Sequence, residues 1–184
     1  MAESLNPTNV IKLTTKEILN ENQSRKAPEK LGRVKILLHN IRSMHNVGST
    51  FRSADAFGVS ELLLSGYTPV PPRTEINKTA IGAEEFVEWS GWDDVEEMFA
   101  SLKKQNYYIV GLEQTENSTD FPDFDASLHE NICLVFGNEV TGIDEEILPF
   151  IDEFVVIPQY GQKHSLNVSV AAGVVLYGLL QKLW

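Results

Sequence analysis

Residues 34–65 read VKILLHNIRSMHNVGSTFRSADAFGVSELLLS. Two short apolar runs, Val34 to His39 and Glu61 to Ser65, flank a stretch from Asn46 to Phe57 whose small and apolar residues fit a helix, with Gly58 placed to end it. A strand, a helix and a second strand in that order predict a parallel pair joined by a crossover helix.

The same alternation runs outward from this unit. The turn-rich GYTPVPPR follows at 66–73. Thr74 to Ile81 is weakly helical, and Phe86 to Trp89 reads as a short strand. Asp93 to Gln105 is predicted as a helix, with Asp93 as its cap and Glu96 and Glu97 at the positive end of its dipole. Tyr107 to Leu112 is a strand, 113–130 an acidic loop with little regular structure, and Ile132 to Phe136 a buried strand. Asp144 to Leu148 reads as a short helix stopped by Pro149, Phe154 to Ile157 as a strand, and Asn167 to Leu180 as a long helix. Upstream, residues 1–32 are polar, with a short helix expected from Thr14 to Asn22 and a linker after it. The expected organisation is therefore a basic and polar extension, 1–32, and one α/β domain, 33–184, whose mostly parallel sheet is covered by helices on both faces. The final helix carries apolar residues around most of its circumference, from Val168 to Leu180. Such a helix is expected to pack inside the protomer and against a second subunit.

Composition narrows the setting. The 184 residues carry a formal charge of −11, with 15 Lys and Arg against 26 Asp and Glu. Nine of those bases lie within residues 1–55 against five acids, so a polyanion surface is expected there, at Lys12, Lys16, Arg25, Lys26, Lys30, Arg33, Lys35, Arg42 and Arg52. A solvated basic face is the competing reading of the same residues. The single cysteine, Cys133, excludes an internal disulfide and sits in a buried strand, as a core residue rather than a nucleophile. No metal site is expected, because His39, His45, His129 and His164 lack ligand spacing. No secretory leader or membrane span is expected either, which with the lone cysteine points to a cytoplasmic protein.

Three polar segments follow three of the strands, where ligands of open α/β sheets bind. The first is Asn46-Val47-Gly48-Ser49-Thr50-Phe51-Arg52. Here Asn46 can cap a helix, Gly48 can admit a ligand close to the backbone, and Arg52 can fork onto a phosphate or carboxylate. Pairing of Arg52 with Asp55 is the alternative. The second, Gly137-Asn138-Glu139-Val140-Thr141-Gly142, suits a tight loop over a ligand or an ordinary strand-to-helix turn. The third runs from Ile157 through Gly161 to Ser165-Leu166-Asn167-Val168-Ser169-Val170-Ala171. Ser165 is its expected cap, and the helix start can present amides to an anion.

Together and in this order, N-x-G-x-x-x-R at 46–52, G-x-E-x-x-G at 137–142 and S-L-N-V-S-x-A at 165–171 resemble the signature motifs of the SpoU/TrmH family of the SPOUT superfamily. The resemblance spans roughly residues 34–184. It implies a C-terminal trefoil knot, a homodimer, and use of S-adenosylmethionine to methylate a ribose 2′-hydroxyl of tRNA or rRNA. It also implies cofactor contacts at Gly137, Ile157 and Leu166, with Glu113 and Gln114 nearby, and a catalytic Arg52. Asn46, Glu139, Ser165 and Asn167 match positions that shape the site. Two other functions remain open from the residues: a non-catalytic RNA-binding or regulatory dimer, and methyl transfer to a non-RNA acceptor.

Overall fold

The computed structural model describes residues 11–25, 29–162 and 165–183. Lys26, His164 and Trp184, singled out above or closing the chain, lie outside them. Seven strands form one sheet: β1 (Val34–His39), β2 (Glu61–Ser65), β3 (Trp89–Trp92), β4 (Tyr107–Leu112), β5 (Thr119–Asp120), β6 (Asn131–Phe136) and β7 (Glu153–Val156). Their order is β3-β2-β1-β6-β4-β7-β5, and every pairing is parallel. All strand C-termini therefore point to one edge. The order is consistent with the threaded C-terminus that the resemblance implies.

The helices are α1 (Thr15–Ser24), α2 (Met44–Phe57), α3 (Thr74–Ala80), α4 (Val95–Lys104) and α5 (Val168–Leu183). Successive strand side chains point to opposite faces, and both faces are apolar. Ile36, Leu38, Leu62, Leu64 and Leu134 pack in one cluster with Val47 and Phe51 of α2 and Val175 and Leu176 of α5. Leu37, Leu63, Cys133 and Val135 pack in the other with Met98, Phe99 and Leu102 of α4. This two-sided burial is why the strands read as unbroken apolar runs. Burial pushes the Cys133 thiol up to about 12, so it is an inert core residue.

Several elements depart from the sequence reading. β3 starts at Trp89 rather than Phe86, because 83–85 forms a 3-10 turn and Trp89 is the residue in register with Leu62. The cap of α4 is Asp94, not Asp93; its side chain accepts from the Glu97 amide at 2.9 Å. No α-helix forms over 144–148. That segment is a run of turns followed by a 3-10 turn at Leu148–Phe150, and the Asp144 side chain faces His39 and Asn40 instead of serving a helix. The acidic 113–130 loop contains the edge strand β5 and a 3-10 turn at Ala126–Leu128.

α1 opens on a capping box between Thr14 and Glu17, runs two residues beyond its expected end, and buries none of its residues. α5 does have a face turned outward, and it is apolar: Val170, Val174 and Tyr177 are 50%, 42% and 57% exposed. Among the described residues no helix is long and apolar enough to cross a membrane.

Gly48 has a different role from the one its motif suggested. α3 lies against it, so that a Cβ there would sit 2.1 Å from Thr79 Oγ1 and 2.3 Å from the Ile76 carbonyl oxygen. The glycine lets α2 and α3 touch. Helix propensity favours Gly48→Ala by about 1 kcal/mol, but overpacking against backbone outweighs it. The variant is expected to lose about 2 kcal/mol net in urea unfolding, and an unchanged midpoint would contradict this packing.

Candidate functional site

A cavity of about 440 Å³ opens at the C-terminal ends of β4, β6 and β7, within the range of small-molecule sites. Its apolar lining includes Leu112, Phe136, Ile157 and Leu166, and its polar lining includes Gln114, Glu139, Thr141 and Ser165. Of the residues expected from sequence, Glu113, Gln114, Gly137, Glu139, Ile157, Ser165 and Leu166 all line it.

Hydrogen bonds join the three motifs beside this cavity. Asn167 Nδ2 donates to Asn46 Oδ1 at 3.0 Å, and Asn46 Nδ2 donates to Glu139 Oε1 at 2.9 Å. The Glu139 carboxylate also accepts from the amides of Arg42 (3.0 Å) and Ser43 (3.1 Å), at the entry to α2. Partial burial pushes the Glu139 pKa up. The Arg42 amide, the Asn46 side chain and the Ser43 amide together outweigh it and hold the carboxyl below the ordinary glutamate range.

The caps differ from those expected. Ser43, not Asn46, caps α2, its hydroxyl accepting from the Asn46 amide at 3.3 Å. Asn46 thus lies inside the first turn, and its side chain is available to bridge Glu139 and Asn167. At α5 the cap is Asn167 rather than Ser165. Its Oδ1 accepts from the Ser169 amide at 2.9 Å and its carbonyl from the Ala171 amide at 2.9 Å. Ser165 is left to line the cavity.

The 137–142 loop folds back on itself. The Asn138 and Gly142 backbones exchange hydrogen bonds at 2.8 and 2.9 Å. A side chain at Gly137 would collide with the Gly142 carbonyl at 2.3 Å, so this position must be glycine for the loop to close. Glu113 holds the far side of the loop: its Oε2 accepts from the Ile143 amide and its Oε1 from the Gln114 amide, both at 2.9 Å. Its carboxylate is thus engaged by backbone at the cavity wall.

Sequence reasoning missed Asn138, which is buried. Its Oδ1 accepts from the Val140 and Thr141 amides at 2.8 and 3.1 Å. An asparagine directly after a glycine was the available signal, since Asx side chains turn the chain back on itself.

Asn46 and Asn167 stand beside this cavity without lining it, whereas Arg52 is not brought to it within the protomer. It is exposed and lines a second cleft of about 540 Å³ between α2 and α3, with Ser49, Ser53, Phe57, Lys78 and Thr79. Among the described residues it forms no ion pair, with Asp55 or any other acid. The other N-terminal bases are partly neutralised. Arg33 pairs with Glu29 and Glu130, Lys35 with Glu61, and Arg25 with Glu21. That narrows the basic face expected from composition.

A family model described as the SpoU rRNA Methylase family matches residues 33–177. The tRNA (guanosine(18)-2′-O)-methyltransferase of Escherichia coli is 31% identical over 142 residues, 77% of this chain and 60% of that protein. The chain thus spans about 60% of the length of that curated relative. The Aquifex aeolicus TrmH/SpoU tRNA modifying enzyme matches with a TM-score of 0.74 at 28% identity, covering 82% of this chain and 75% of that one. The SpoU methyltransferase AviRb from Streptomyces viridochromogenes, solved in complex with the cofactor AdoMet, shares the fold with a TM-score of 0.76 at 24% identity, covering 89% of this chain and 64% of that one.

The anchored Glu139 carboxylate makes a pH prediction. A depressed folded-state pKa gives stability that is present above the unfolded value and lost as pH falls through the folded one. Glu139→Gln is expected to melt about 2 °C below wild type at pH 7, a modest effect because the group is solvent-exposed. The two melting curves should converge below pH of about 4. A gap that persists at pH 3 would show that the carboxylate charge is not its source.

Proposed function

The chain belongs to the SpoU rRNA methylase family, and from that premise we propose that it is an S-adenosylmethionine-dependent methyltransferase acting on a ribose 2′-hydroxyl of tRNA or rRNA. The observation that carries the reading is the chain Asn167–Asn46–Glu139, which joins all three motifs at the rim of one cavity. The cavity suits the methyl donor in size and in its mixture of apolar and polar lining residues. Gly137, Ile157 and Leu166 hold the donor there, with Glu113 and Gln114 at the end of β4 forming the adjoining wall. S-adenosylmethionine, when bound, supplies a methyl carbon made electrophilic by its sulfonium, so no metal is required.

The residues then have to align an RNA hydroxyl with that carbon. Asn46, Glu139, Ser165 and Asn167 shape the pocket in which it is held. Arg52 binds the phosphate beside the target ribose and stabilises charge developing on the attacking oxygen. A guanidinium stays protonated in proteins, so this electrostatic role suits it better than that of a general base.

The position of Arg52 outside its own protomer's cavity favours a homodimer. The exposed Val170, Val174 and Tyr177 make an apolar strip along α5, and Tyr177 packs edge-on against Phe57, which also lines the Arg52 cleft. A second copy seated on this strip covers it and brings the Arg52 cleft of one protomer to the cavity of the other.

Calorimetry with S-adenosylmethionine, followed by tritium transfer from the labelled donor to total tRNA and rRNA, tests the function. Binding and transfer to RNA are expected; binding without transfer points to a non-catalytic dimer, and transfer only to protein or small molecules to another acceptor. Arg52→Ala is expected to reduce transfer about 100-fold or more, with donor affinity nearly unchanged. Near-normal turnover in that variant ends its catalytic role. Val174→Glu is expected to give a folded monomer by ultracentrifugation, without transfer activity; an intact dimer would place the interface elsewhere.

A further inference from the structure

Behind the cavity loop, on the β1–β2 side, lies a buried polar cluster that no step of the proposed reaction uses. His39, the last residue of β1, is 1% exposed. Its Nδ1 lies 2.7 Å from Ser65 Oγ at the end of β2, and its Nε2 lies 3.1 Å from Asn40 Nδ2. Asn40 stands in the left-handed region (φ 55°), a conformation that asparagine tolerates better than most residues. Its Oδ1 accepts from the Tyr67 amide at 3.0 Å, which fixes Nδ2 as the atom turned toward His39 and Asp144.

The ring nitrogens take their roles from the tautomer. An amide nitrogen only donates, so in the neutral tautomer protonated at Nδ1 the His39 Nε2 accepts from Asn40 while Nδ1–H donates to Ser65. The backbone of Asn40 leads directly to the cavity. Asn138 Nδ2 donates to the Asn40 carbonyl at 2.9 Å and to the Tyr67 hydroxyl at 2.7 Å, while Asn138 Oδ1 holds the Val140 and Thr141 amides. One continuous path thus runs from the ring to the loop that walls the cavity.

We propose that His39 is a positioning residue for the donor-binding loop: its neutral Nε2 orients Asn40, Asn40 anchors Asn138, and Asn138 shapes residues 138–142. The importance of this brace for catalysis rests on the cavity holding S-adenosylmethionine, as proposed above. Protonation undoes it. An Nε2–H would face the Asn40 N–H, donor against donor, and would turn to the carboxylates of Asp144 (3.3 Å) and Glu146 (3.5 Å). Among the described residues those two, both from the segment after β6, are the charged groups that face the ring. Burial lowers the His39 pKa and Asp144 and Glu146 raise it, with a net position below the ordinary histidine value. The brace is therefore intact at neutral pH and is released as pH falls through the folded-state pKa, below about 6.5.

Hydrogen exchange on the ligand-free protein reads the brace directly. After correction for intrinsic rates, the Val140, Thr141 and Gly142 amides are expected to lose about tenfold protection between pH 7.5 and pH 5, the scale set by one buried acceptor left unmade. His39→Gln keeps a neutral acceptor in place. It is expected to retain the protection at both pH values and to lose its pH dependence. His39→Leu removes the acceptor and is expected to expose the loop at pH 7.5 already, while amides of the central strands β1 and β6 stay protected. Calorimetry should show the same pattern in S-adenosylmethionine affinity. Unchanged protection in His39→Leu, or a pH response that survives in His39→Gln, overturns the proposal. Wild-type protein that shows the exchange pattern but binds no S-adenosylmethionine leaves the brace standing and removes the reading of the cavity.

Discussion

The site depends on one carboxylate. Glu139 accepts the Arg42 and Ser43 amides and the Asn46 side chain, and Asn46 in turn accepts from Asn167. Beside the apolar packing of α2 against α5, segments about a hundred residues apart in the chain are joined there by a few polar contacts. These are charge-assisted bonds at the Glu139 end, where each is stronger than a neutral pair. They cannot form unless the strand ends are already side by side. The sheet meets that requirement, because β1, β6, β4 and β7 follow one another in the sheet and are all parallel, so the loops after β1, β6 and β7 leave from the same edge. The apolar core supplies the positioning, and the polar chain locks the three loops in their relative order.

Much of the sheet was legible because both of its faces are buried. VKILLH, ELLLS and ICLVF could hardly belong anywhere but a covered parallel sheet, and the structure places strands over all three. The misread elements are those set by tertiary contacts. The 144–148 segment has helix-compatible residues, but Asp144 is drawn to His39 and Asn40 and the chain turns instead. Gly48 looked like a ligand approach because its motif is polar, whereas the close neighbour is α3. Asn46 looked like a cap because asparagine caps well. Ser43, three residues earlier, does that work, and nothing in local propensity chooses between them. For the candidate site, the residues around the cavity were readable and Asn138 and the His39 cluster were not. Buried polar networks leave no periodicity, since each member answers to a partner distant in sequence.

Charge shows the same division. The total of −11 describes the whole chain, but an RNA phosphate would meet only local charge. Arg33 and Lys35 are neutralised by Glu29, Glu130 and Glu61, whereas Arg52 and Lys78 share a cleft without ion pairs among the described residues. The basic surface relevant to a polyanion is therefore smaller and more localised than a count along the N-terminal quarter implies.

The choice of asparagine at 46 and 167 follows from the same geometry. A cap at the start of α5 needs only an acceptor, and Ser, Thr or Asp would provide one. Asn167 must also donate to Asn46, and Asn46 must accept there while donating to Glu139. Among short side chains only an amide presents a fixed acceptor and a fixed donor on opposite arms. Aspartate at either position would set a second carboxylate's charge beside Glu139, or leave the Asn46 oxygen without its donor. Serine is too short to span two helices while capping one. The two asparagines are therefore dictated by the need to pass hydrogen bonds in one direction, from the start of α5 through α2 to the loop after β6. That direction ties the folding of the last helix to the completion of the cavity.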